Sequence, residues 1–129
     1  MNEQTAALSL DELLTLKHAA PRPKIVCLCG STRFAYAFWQ ATLSETLAGR
    51  IVLSIGCNTK SDDDLVQAGL ALNKDTLDVL HLYKIDLADD LLVLNVNGYV
   101  GESTRREIAY AKQQGKGIRY LEPPERTKD

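Results

Sequence analysis

The chain has 129 residues, 45% of them hydrophobic, and a formal net charge of -2. That balance suits one globular domain and excludes the basic footprint of a nucleic-acid polymer binder or of a protein held on an anionic membrane. No apolar run approaches the length needed to span a bilayer, and the acidic start MNEQTAALSLDELL lacks the layout of an export signal.

In chain order, residues 1–23 read as a helical extension. Ser9 and Glu12 match a capping box, and Leu10, Leu13, Leu14 and Leu16 form a leucine stripe suited to packing on the domain or on a neighbouring subunit. Pro21 and Pro23 end that helix. Lys24 to Cys29 (KIVCLC) is the first strand, and Gly30-Ser31-Thr32-Arg33 is the turn after it. Phe34 to Ala48 is a helix closed by Gly49, and Ile51 to Ile55 is the second strand. A helical stretch follows from about Asp63 to Leu87, with Ser61 and Asp64 as a second capping pattern and a break at Asn73-Lys74. Leu91 to Val96 is a short, nearly unbroken apolar run, as a strand covered on both faces requires. Gly98 and Gly101 punctuate the loop beyond it, and Ser103 or Thr104 can cap the next helix. Ile118 to Leu121 is a fourth strand, and residues 123–129 form a charged tail. Strands alternating with helices over residues 24–122 predict an α/β, doubly wound, flavodoxin-like parallel sheet of four to five strands, ordered 2-1-3-4.

Four features carry chemistry. The Gly30–Arg33 turn puts backbone N–H groups, two hydroxyls and a guanidinium beside a helix start, which suits a phosphate; it is equally a glycine turn with a serine cap. Glu107 stands three residues after Thr104, so it reads either as a functional carboxylate or as half of a capping box. His81, Lys84, Asp86, Asp89 and Asp90 form a polar run, and Tyr99 offers a ring as a stacking surface or a loop anchor. Cys27 and Cys29 fall on one face of the first strand. With no second pair and no histidine cluster nearby in sequence, they read as small core residues and not as a metal site. Three cysteines, Cys57 included, fit free thiols in a reducing, cytoplasmic setting.

Together these pieces resemble the nucleoside 2-deoxyribosyltransferase superfamily, including its nucleoside-monophosphate N-glycosidase branch. The resemblance rests on Cys29-Gly30-Ser31-Thr32-Arg33 and on Gly49 to Leu53. It rests most on Ala88-Asp89 before the third strand and on Glu107-Ile108-Ala109-Tyr110-Ala111 followed by Gly115-Lys116. It implies an enzyme that cleaves the N-glycosidic bond of a nucleoside or nucleotide, by hydrolysis or transfer, with Glu107 as nucleophile and His81 or Asp86 as ribose or proton partner. Gly30, Ser31, Thr32 and Arg33 would hold the 5′ end of the sugar, with Gly101 and Ser103 lining the same pocket and Asp89, Asn95 and Tyr99 as further substrate contacts. It implies no metal, no cofactor, and a homodimer or larger homo-oligomer. Cys27 stands where many members carry a tyrosine, and His81 where members carry an aspartate. Those two differences support the other expectation, a non-catalytic nucleotide-binding or sensing protein on the same fold.

Overall fold

The computed structural model describes residues 7–55 and 74–124. The expected helix from Asp63 to Asn73, the capping pattern at Ser61, the thiol of Cys57 and the end of the tail lie outside the described residues.

The elements are α1 (Leu10–Ala19), β1 (Ile25–Cys29), a 3-10 turn (Thr32–Phe34), α2 (Ala35–Leu47), β2 (Ile51–Leu53), α3 (Lys74–Leu87), β3 (Asp90–Val93), a second 3-10 turn (Val96–Gly98), α4 (Glu102–Gln113) and β4 (Gly117–Tyr120). The four strands form one parallel sheet in the order β2-β1-β3-β4. This is the doubly wound, flavodoxin-like arrangement that the alternation of strands and helices predicts.

Period-two alternation along β1 sends its side chains to opposite layers. Val26 and Leu28 join Leu92, Leu94 and the α2 residues Phe38 and Ala41 on one face. Cys27 and Cys29 join Leu91 and Val93, with Ile85 of α3 and Ala111 of α4, on the other. In the central pair, Cys27 lies opposite Leu91 and Cys29 opposite Val93. The backbone leaves β3 through Asn97 at φ 55 and Gly98 at φ 80, a left-handed pair that reverses the chain toward α4.

Helix α1 forms as its capping box dictates: Ser9 Oγ accepts from Glu12 N at 3.1 Å, and Glu12 Oε1 accepts from Ser9 N at 2.8 Å. Among the described residues its leucines join neither core cluster. Leu10, Leu13 and Leu16 keep 69%, 50% and 60% of their surface exposed, and no residue of α1 is buried.

Candidate active site

In an open parallel sheet, ligands bind beyond the carboxyl ends of the strands where the strand order reverses. Here that reversal lies between β1 and β3. The loops leaving these two strands meet. The Arg33 guanidinium lies 4.6 Å from the centre of the Tyr99 ring and donates to its hydroxyl at 3.5 Å. Phe34 meets the same ring edge-on, with centroids 5.9 Å apart. Gly30 is pressed onto the end of β3, where a β-carbon would come within 3.1 Å of Leu94 Cβ and 3.2 Å of its carbonyl oxygen. Gly101 lets Tyr99 close over the start of α4, since a β-carbon there would meet the tyrosine hydroxyl at 3.2 Å. Ser31 accepts from Arg33 N at 3.3 Å and caps the 3-10 turn that Thr32 begins.

Glu107 does not tie off its own helix. Helix α4 starts one turn earlier than the capping pattern suggests, with Gly101 as N-cap and no side-chain cap. Thr104 is buried in the first turn, and Glu107 falls in the second. Its carboxylate turns inward, where Oε1 lies 3.7 Å from His81 Nε2, and the two side chains are only 13% and 8% exposed.

His81 reaches this point because it shares the inner face of α3 with Ile85, one turn on. Its Nε2 also lies 3.1 Å from Cys29 Sγ and 3.7 Å from Cys27 Sγ. The two thiols are core residues, as the sequence suggests, and the structure adds the imidazole and carboxylate that complete the group. Burial pushes the Glu107 carboxyl above the ordinary carboxylate range, with His81 and the Cys29 thiol pulling it back. Burial alone would depress the His81 pKa, but Cys27 and Glu107 outweigh it and hold it above the usual imidazole value. The Cys29 thiol is pushed well up, first by burial and then by Cys27. The Cys27 thiol is lowered by its contacts with Cys29 and then His81, against burial.

The first turns of α3 and α4 form a polar rim of which sequence reading found only Ser103. Lys74 Nζ donates to Ser103 Oγ at 3.1 Å and to Asp78 Oδ2 at 3.3 Å. Arg106 donates to the same Asp78 oxygen at 3.1 Å and to Ser103 at 3.3 Å. Two cations sharing one carboxylate leave the trio net positive.

Other expected site residues are not brought to this group. Asp89 sits at the amino edge of the sheet, where its Oδ2 accepts from Ile25 N at 2.7 Å and Arg22 approaches at 3.4 Å. Those contacts, the backbone N–H first, hold its carboxyl below the usual range. Asp86 is at the same edge, accepting from the Tyr110 hydroxyl at the far end of α4. Asn95 is at the carboxyl edge, but both ends of its amide are engaged by the backbone of Glu122, each at 2.9 Å. Sequence distance concealed the central cluster. The usable signal was that His81, Ile85 and Ala88 lie on one helical face and Cys27 and Cys29 on one strand face.

Among the described residues, no helix is long and apolar enough to cross a membrane. In comparisons with known protein families, curated proteins and solved structures, the chain matches none.

Proposed function

We propose that this chain cleaves the N-glycosidic bond of a nucleoside or nucleotide with Glu107 as nucleophile. The observation that carries the reading is the placement of Glu107: a largely buried carboxylate, free of capping duty, beside His81 and beside Cys29 at the carboxyl end of β1. A Glu107 oxygen attacks the anomeric carbon as the carbon–nitrogen bond breaks. The bonding pair leaves with the base, which takes up a proton from solvent, and a glycosyl ester remains on the enzyme. Water then attacks the anomeric carbon, releases the sugar and restores the carboxylate. His81 orients the carboxylate and balances its charge. The Gly30–Arg33 turn and the positive rim of Lys74 and Arg106 receive the 5′ end of the sugar, phosphate included. Asp86 takes no part, because it is bonded to Tyr110 at the other edge of the sheet.

Incubation with a panel of nucleosides and nucleoside monophosphates, read by chromatography for free base and by thermal shift for binding, tests this. Free base that disappears with Glu107→Ala supports the enzyme. Stabilisation by a panel member without base release supports the nucleotide-binding reading instead. Two coarser features support the setting. Cys27 and Cys29 are free thiols, in keeping with the cytoplasm, and the uncovered leucines of α1 favour a homodimer or larger assembly.

A further inference from the structure

Three side-chain atoms converge on a single nitrogen. Cys29 Sγ, Cys27 Sγ and Glu107 Oε1 lie 3.1, 3.7 and 3.7 Å from His81 Nε2. Nε2 offers one proton or one lone pair, so it serves at most one of these contacts fully, while each thiol can donate or accept. A cation held by that lone pair and the two sulfurs would bring all three donor atoms into use at once. The two sulfurs and the nitrogen lie within 4.8 Å of one another and are all buried.

We propose that Cys27, Cys29 and His81 bind a zinc ion. Zinc–sulfur bonds of about 2.3 Å and zinc–nitrogen bonds of about 2.0 Å give a tetrahedron with sulfur–nitrogen edges of about 3.6 Å, close to the separations in this chain. Two thiolates and one imidazole select a borderline-soft ion over magnesium or calcium, which require oxygen donors. The donors sit on β1 and α3, elements fixed by the core, so little side-chain freedom is lost on binding. Glu107 lies beside the group, with Oε1 3.7 Å from the imidazole nitrogen. Two thiolates and a neutral imidazole leave the zinc site without net charge. The pattern has no counterpart in the resemblance drawn from sequence, which implies no metal.

Metal binding is read without nucleotide, so its outcome is independent of whether base is released. The full chain is stripped with chelator and titrated with Zn2+ or Co2+ alone. The expected result is one ion per chain, with the thiolate-to-cobalt charge-transfer absorption of two sulfur ligands. Cys57→Ser leaves both unchanged. Cys27→Ser, Cys29→Ser and His81→Gln each weaken binding by more than the about 10–100-fold that loss of an outer-shell partner costs. Since those variants alter the core, X-ray absorption of the zinc-loaded unmodified chain supplies the second measurement, with two sulfur neighbours and at least one imidazole nitrogen expected. The proposal is overturned if the unmodified chain takes up no metal, if Cys57→Ser abolishes uptake, or if the sulfur count differs from two.

Discussion

Glu107 Oε1 stands 3.7 Å from His81 Nε2, across the boundary between α3 and α4 and 26 residues apart in sequence. The contact decides between two duties open to a glutamate near a helix start. A capping carboxylate would bond the backbone of its own first turn, whereas this one leaves its helix and enters the layer between helices and sheet. Glu107→Gln keeps the shape and removes the charge. It is expected to lower base release by at least about 1,000-fold, as loss of a nucleophile does, while far-ultraviolet circular dichroism and the melting temperature stay close to those of the parent. A comparable loss of folded structure would return Glu107 to a purely structural role.

On the proposed reading, Arg33 is the group that would tell a nucleotide from a nucleoside. Loss of one charge-assisted contact to phosphate costs about 1.5–3 kcal/mol, or about 10–100-fold in binding. Arg33→Ala is therefore expected to raise KM for a nucleoside monophosphate by that factor and to leave KM for the matching nucleoside unchanged. Equal effects on both substrates would remove the phosphate from this turn.

Asn95 is expected to govern stability and not substrate binding. Its amide donates to the Glu122 carbonyl and accepts from the Glu122 N–H, fastening the chain beyond β4 to the end of β3. Asn95→Ala strands those backbone groups at a position 1% exposed, at a cost of about 1–3 kcal/mol. Urea unfolding measures the cost, and an unchanged KM in the same variant confirms the division.

Glu45 of α2 holds Arg119 of β4 at 2.6 Å and Arg50 at 3.4 Å. The Arg119 hydrogen bond, opposed by burial and assisted by both guanidinium charges, keeps its carboxyl below its ordinary value of 4.5. A carboxyl lowered on folding stabilises fully above its unfolded value and loses that contribution as pH falls through the folded one. Glu45→Gln should therefore cost about 1–2 kcal/mol near neutrality. Its stability curve should begin to converge with that of the parent as pH falls below 4.5. Parallel curves throughout that range would rule out the ion pair as the cause.

The exposed leucines of α1 make assembly testable. Replacing Leu10, Leu13 and Leu16 by glutamate is expected to reduce the sedimenting mass toward that of one chain and leave the α/β core folded. An unchanged mass would move the contact elsewhere.

Most of the fold was legible because each element carries its own signal. Alternation placed Cys27 and Cys29 on one face, the apolar run placed β3, and Ser9 with Glu12 placed α1. Caps were less reliable. Thr104 and Glu107 have capping-box spacing, but a glycine took the N-cap one turn earlier and Thr104 was buried. The candidate site was legible only in part. Asp86 and Asp89 look available in sequence, yet the parallel topology puts both at the amino edge, away from the strand ends where the candidate site is built. The cluster at His81 depends on contacts between residues 52 and 54 positions apart, which no local pattern encodes.

The alternation of β1 also divides labour within the protein. Beneath α2 the sheet meets hydrocarbon from Val26, Leu28, Leu92 and Leu94 with Phe38 and Ala41, bordered by the Glu45–Arg119 ion pair. The thiols, the imidazole and the Glu107 carboxylate are on the reverse side. Truncating Leu28 to alanine should thus register as about 2–5 kcal/mol of lost cohesion and leave the reactive groups in place. One flank is free to be tuned for robustness, while the other, two atoms of backbone away, is held to a chemical specification.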